Sequence, residues 1–349
     1  MKANRTFILS LIILLLLSSC KHKELCLHHV HSIPAKVNVD WSMFEVEQVQ
    51  GMTVYAYSQQ HSQTEKVTTN NVEYAMFDLF PDTYNFLVHN YSQSELYTLE
   101  LLDMDDYDNA RVFAATTTSR WYMVKSEEEV IAQEPQWFGF DLSEPVEVTQ
   151  QMVDEHYERF YLKGGGNESD ENAPVLTTLT PSNIVYNITV TINNIGQIYN
   201  LSDVRASISR MARGYYLTKG YRSSDIATYI LEDWEITRSD YDPSIGSATT
   251  HFRCFGLPYG HDAEPSDNIL LLQVLLVDLE TIVEIPIQVG HLFRVPQSIA
   301  PNELHLELNV DLNYDLPDVP PAEGGDGGFS ATVDDWGDEI EHEIDLQNK

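Results

Sequence analysis

The segment Glu303–Tyr314, ELHLELNVDLNY, alternates without a break. Leu304, Leu306, Leu308, Val310, Leu312 and Tyr314 fall on one side; Glu303, His305, Glu307, Asn309, Asp311 and Asn313 fall on the other. Side chains of a strand point to opposite faces in turn, so a period of two specifies a strand with one buried and one wet face. A helix cannot use this pattern, because its apolar stripe recurs every three to four residues. AKVNVDW sorts Ala35, Val37, Val39 and Trp41 from Lys36, Asn38 and Asp40 in the same way. GMTVYAYS, NVEYAMFDL and TYNFLVHNY continue the theme, with Pro81-Asp82 as the turn before the last. DDYDNARVFAATTT fits a loop leading into either a helix or a strand. QWFGFDLSEPVEVTQ returns to strand character and closes a first unit near residue 150.

MVDEHYERFYLKGGGNESDENAP is polar, or briefly helical, and runs through Gly164-Gly165-Gly166 into an acidic stretch with the composition of a linker. Beyond it, NIVYNITVTINNIG, ASISRMARGYYLTKGY and IATYILEDWEIT read as strands. NILLLQVLLVD is apolar on both faces and predicts a central strand covered on both sides. In TIVEIPIQVG, Val283, Ile285, Ile287 and Val289 share a face, and Pro286 opposite them predicts a sheet edge, where a missing N–H is harmless. The expected fold is all-β, as two antiparallel sandwiches in tandem. The expected divisions are 1–19, a signal peptide; 20–33, an N-terminal segment; 34–162, the first sandwich; 163–174, a linker; 175–316, the second sandwich; and 317–349, a Pro/Gly spacer and strand-like tail.

The first residues, MKANRTFILSLIILLLLSSC, join Lys2 and Arg5 to an apolar run too short to span a bilayer as a helix, which is the pattern of a signal peptide. Leu17-Ser18-Ser19-Cys20 resembles the lipobox of bacterial lipoproteins, in which the cysteine thiol accepts lipid; an ordinary secretory signal cut nearby is the alternative. Each buried CH₂ of such an anchor is worth about 0.8 kcal/mol. With 54 Asp and Glu against 20 Lys and Arg, the net charge is −34, which repels nucleic acid and anionic headgroups. Cys26 and Cys254 remain, and an oxidising envelope would permit a bridge between them. No Cys-x-x-Cys pattern supports a zinc or thioredoxin-like site.

Several of these segments resemble the fimbrillin-like lipoproteins of Bacteroides-type bacteria, which include fimbrial-anchor subunits. CKHKELC, LFPDTYNFLVHN (Leu79–Asn90) and EPQWFGFDLSEPVEVT carry the resemblance in the first half; ISRMARGYYLTKG and FRCFGLP carry it in the second. Asp82-Thr83 stands where the family places a glycine before the hydrophobic strand. The resemblance implies transthyretin-like sandwiches, an outer-membrane lipoprotein on either membrane face, and work in adhesion or pilus assembly by strand exchange between subunits. It implies no catalysis and no cofactor.

The chemistry-bearing clusters are few. His28, His29 and His31 in CLHHVHS could ligate a transition metal, or could simply lead into the first strand. Asp103, Asp105, Asp106 and Asp108 offer calcium its hard oxygens, but the loop lacks the glycine and closing glutamate of an EF-hand; a solvated acidic loop is the competing reading. His251 and Cys254 stand three apart, on opposite faces if the segment is a strand. No hydrolase, zinc-protease or phosphate-loop motif occurs, so no metal site and no enzyme is expected. In the tail, Ile340, His342, Ile344 and Leu346 share a face with Trp336 as an anchor. Such a strand needs a sheet edge, in its own domain or in a fimbrial subunit. The expected function is a lipid-anchored envelope protein of fimbrial anchoring or adhesion. The alternative is a glycan-binding surface lipoprotein using Trp121, Tyr122, Trp137, Tyr215 and Tyr216.

Overall fold

In the computed structural model, which describes residues 31–61, 63–92, 95–159, 173–296 and 303–322, the alternating segments become strands. The first half holds β1 (Ile33–Val39), β2 (Met52–Ser58), β3 (Thr64–Thr69), β4 (Tyr74–Leu79), β5 (Asp82–Asn90), β6 (Leu99–Leu102), β7 (Arg111–Ala114), β8 (Gly139–Leu142) and β9 (Val146–Val148), then helix α1 (Gln150–Tyr157). The second half holds β10 (Val175–Leu179), β11 (Ser182–Asn183), β12 (Tyr186–Gly196), β13 (Leu201–Ala212), β14 (Gly214–Tyr216), β15 (Tyr221–Arg222) and β16 (Ile226–Leu231). It continues with β17 (Glu235–Arg238), β18 (Ile245–Cys254), β19 (Ile269–Leu276), β20 (Ile282–Gln288), β21 (Phe293–Arg294) and β22 (His305–Asp315).

The first sandwich packs the sheet β10-β1-β4 on the sheet β11-β8-β5-β2-β3, with β9 also paired to β5. Ala35, Val37 and Val39 from β1 meet Met52, Val54 and Ala56 from β2 and Phe86 and Val88 from β5 in one core. The other face of β2 and β5 is also buried: Tyr55, Tyr57 and Leu87 belong to the core that continues through the second sandwich. The larger sheet of the first sandwich is therefore a middle layer, so β2, whose alternation predicts one wet face, is buried on both.

The second sandwich sets β17-β18-β12-β22-β21 against β16-β13-β19-β20. β19 lies between β13 and β20 and is buried along nearly its whole length, as its two-sided apolar run predicts. β20 is a terminal strand with Pro286 exposed. β22 buries Leu306, Leu308, Val310 and Leu312, but it runs parallel to β12, and β1 runs parallel to β10. These two pairs depart from the wholly antiparallel expectation. Their strands do not follow one another in the chain, so no hairpin dictates their direction.

The two halves exchange strands. β10 and β11, which the sequence reading assigned to the second sandwich, hydrogen-bond to β1 and β8 of the first. A separate sheet, β15-β14-β7-β6, takes two strands from each half. Residues 130–132 of the first half lie along β16, with Ala132 N donating to Thr228 O (3.0 Å) and Thr228 N to Val130 O (2.8 Å). IATYILEDWEIT, one run by pattern, breaks at Glu232–Trp234 and divides between the two sheets of the second sandwich as β16 and β17. The segment left open between helix and strand is a turn followed by β7. Most of the linker 163–174 lies outside the described residues.

Candidate functional site

Surface contacts by a β protein start from its sheet edges, where backbone N–H and C=O groups have no partner. The edge of β16 is covered by residues 130–132, and β3 carries Glu65 and Lys66. β17 is different: all four of its residues are exposed, and Ile236 is 40% exposed. Glu235 and Arg238 at its ends leave Ile236-Thr237 as an ungated pair.

The segment before residues 130–132 roofs the outer face of β13, β16 and β19. Ser119 Oγ accepts the backbone N–H groups of Trp121 (3.3 Å) and Tyr122 (3.0 Å), turning both rings toward the sheet. Tyr122 and Ile131 pack on Leu271. Glu129 ties the roof down: its Oε1 accepts from Tyr122 OH (2.6 Å) and Thr228 Oγ1 (2.6 Å), and its Oε2 accepts from Lys125 N (2.6 Å). Burial pushes the Glu129 carboxyl up, but the three hydrogen bonds outweigh it and hold the group below the ordinary range. A cleft of about 290 Å³ remains beneath, lined by Lys125, Glu129, Ser207, Arg210, Thr228 and Leu271 among others. Beside it Arg205 is buried; its Nε donates to Gln273 Oε1 (2.6 Å) and its guanidinium lies 4.3 Å from the Trp121 ring centre.

The predicted aromatic residues separate into two groups. Trp121 Nε1 donates to Glu232 Oε1 (2.8 Å), Tyr122 is buried, and Trp137 lies under Arg253 (5.4 Å). These three serve packing. Tyr215 leans on Phe140 (5.6 Å), whereas Tyr216, half-buried, meets Phe113 (6.3 Å) and Tyr221 (5.4 Å), which meets Tyr259 (4.9 Å). Neither Tyr221 nor Tyr259 has a sequence signature, since the pairing of β14 with β15 is what aligns them.

The acidic loop is occupied by its own turn. Asp103 pairs with Arg111 (2.8 Å), and Asp106 accepts from Asp108 N (3.1 Å) and Asn109 Nδ2 (2.7 Å). Among the described residues no three His, Cys, Asp or Glu side chains group as metal ligands do. His31 stacks on Tyr157 (4.3 Å); His28 and His29 lie outside the described residues. Cys254 is fully buried on β18, while His251 on the same strand is exposed and bonds Thr189 Oγ1 (3.0 Å), so the two do not pair. Cys20, Cys26, Trp336, Ile340, Ile344 and Leu346, on which the expected lipid anchor, disulfide and strand-exchange tail fall, lie outside the described residues. Among the described residues no helix is long and apolar enough to cross a membrane.

The fold defines a class: paired β-sandwiches interlocked by exchanged strands. The chain belongs to a family described as a domain of unknown function (DUF5119), whose model matches residues 19–232 and so ends just after β16. A solved candidate adhesin from Bacteroides ovatus shares the fold at 16% identity and a TM-score of 0.51, covering 83% of this chain and 94% of its own. The fimbrial anchor protein of Porphyromonas gingivalis aligns at 10% identity and a TM-score of 0.45, covering 80% of this chain and 90% of its own. No curated protein matches the chain.

Proposed function

We propose that this is a non-enzymatic envelope protein, tethered to the outer membrane by lipid on Cys20, that works in fimbrial anchoring or adhesion through sheet-edge contacts. The observation that carries the reading is the exchange of strands between the halves. Tension across the molecule is borne by four separate inter-half pairings (β1 with β10, β8 with β11, β7 with β14, and residues 130–132 with β16) and by a core shared between the sandwiches. Opening it requires ladder bonds worth about 0.5–1.5 kcal/mol each to break together with core burial. That suits a tether better than two beads on a flexible string. The exposed edge of β17 supports contact by strand addition.

Mass spectrometry of the native N-terminus tests the anchor: a lipidated Cys20 is expected, and an unmodified terminus elsewhere removes it. Pull-down from cells compares the full chain with a truncation after Asp326. Loss of envelope partners is expected; an unchanged set of partners means that the tail serves only its own domain.

A further inference from the structure

We propose that His251, His305 and Glu307 form an exchangeable site for a divalent transition-metal ion of the zinc or copper type, on the outer face of the sheet β17-β18-β12-β22-β21. The site is assembled by register. Thr189 of β12 stands directly opposite His251 of β18 on one side and Glu307 of β22 on the other. Residues opposed across a ladder share a face, and His305, two residues before Glu307, shares it too. The residues that alternate with them, Ile188, Val190, Phe252, Leu306 and Leu308, are buried, so this is the wet face of the second sandwich. At its centre is the Thr189 hydroxyl. His251 Nδ1 and His305 Nε2 each lie 3.0 Å from Thr189 Oγ1, reaching it from the two flanking strands.

Two imidazole nitrogens aimed at one point identify the ligand. The hydroxyl has a single proton, so it donates to one ring and must take an N–H from the other, whereas a metal ion accepts a lone pair from both. Metal–imidazole bonds run to about 2.0–2.1 Å. Nitrogens that already converge on one oxygen need only small side-chain rotations to share an ion. Behind His305, Glu303 Oε1 lies 3.9 Å from Nδ1. A carboxylate beside the far nitrogen of a ligand histidine favours the N–H there, which leaves Nε2 with its lone pair toward Thr189.

Glu307 supplies the third ligand. Arg294 is its cross-strand neighbour but gives its Nη1 to His291 O (2.6 Å) and Phe293 O (2.7 Å), so the Glu307 carboxylate is unclaimed among the described residues. The three side chains are not closed around a common point as they stand; turning the Glu307 carboxylate toward Thr189 closes them. Two imidazoles and a carboxylate suit zinc, copper, nickel or iron, whereas calcium and magnesium take oxygen ligands. His251 is exposed, so solvent reaches the ion and water fills its remaining positions, which makes the site exchangeable rather than structural. The net charge of −34 draws cations to the surface. No local motif announces the set, because β18 and β22 are brought together only through β12.

The test is equilibrium dialysis of the metal-free full chain against Zn²⁺ at pH 7.5, with bound metal counted by mass spectrometry. One equivalent should belong to this site. His251→Ala and His305→Ala should each remove it, the double variant should remove no more, and Glu307→Gln should weaken it about tenfold. Replacing His28 and His29 together by Ala should leave it in place, and excess Ca²⁺ should not compete. All three ligands lie on the wet face, so the metal-free variants should melt with the wild type; Zn²⁺ should raise the melting temperature of the wild type and of neither histidine variant. Zinc binding that both single histidine variants retain overturns the proposal. So does an equivalent lost with one histidine and kept without the other, which would mean separate surface imidazoles, or one lost only with His28 and His29. None of these results depends on lipidation or on fimbrial partners.

Discussion

His89 lies against Phe138 with ring centres 5.3 Å apart, both fully buried where the larger sheet of the first sandwich meets the core of the second. His89 Nδ1 is 2.6 Å from Asn90 O, which makes it the donor. Nε2 is then an acceptor with no donor near it. The imidazole is therefore held neutral, and burial pushes its pKa down to about 4.

Acid should therefore loosen this seam. Above the unfolded pKa of about 6.5 both states are neutral and the titration of His89 contributes nothing to stability. As pH falls from there toward about 4, the unfolded chain takes up a proton that the folded one refuses, so stability is lost by about 3 kcal/mol at most. His89→Phe should flatten the fall in melting temperature between pH 6.5 and 4 while changing it little at pH 7. An unchanged slope in calorimetry would place the titration elsewhere.

Gly214 opens β14 opposite Phe113 of β7. A Cβ there would stand 2.0 Å from Phe113 Cδ1 and 2.4 Å from Val112 O, so backbone itself must move. Gly214→Ala should cost about 1–3 kcal/mol, the usual range for overpacking, and should expose residues 111–114 and 214–216 to amide exchange ahead of the sandwich cores.

Glu129→Ala should free the roof over β16. Removing the carboxylate leaves Tyr122 OH and Thr228 Oγ1 without their acceptor, at about 1–3 kcal/mol for each group that stays dry. Limited proteolysis should then cut between residues 123 and 129, where the intact protein resists. In a double-mutant cycle with Thr228→Val, the two losses should not add.

The thiol of Cys254 should be silent in the native protein. It is wholly enclosed, and burial pushes its pKa up to about 12, so almost no thiolate exists at pH 8. A disulfide reagent should leave it unmodified until the protein is unfolded; fast reaction in the folded state would contradict this packing.

Much of this was legible in the residues. The parity of Ala35, Val37 and Val39 gave β1, the two-sided apolar run gave the central β19, and Pro286 gave an edge, because each signal is written within a few neighbouring side chains. Asp82, where the family resemblance expects glycine, shows the limit. Its carboxylate is buried in a knot with Ser58, His61 and the backbone N–H of Thr83, and nothing in LFPDTYNF announces those partners. The row of rings was half visible: Tyr216 was among the aromatic residues weighed, while its neighbours Tyr221 and Tyr259 were not.

The sequence alone determined that this chain is built of strands, because alternation is a property of adjacent side chains and needs no knowledge of what lies across the sheet. It could not determine which strand pairs with which, because each ladder bond joins residues far apart in the chain. Only the tertiary structure decided that β10 and β11 serve the first sandwich, that β14 and β15 join β6 and β7, and that β16 and β17 part company. Those choices rest on which apolar faces can be buried together, and that is settled by the whole core at once rather than by any segment within it.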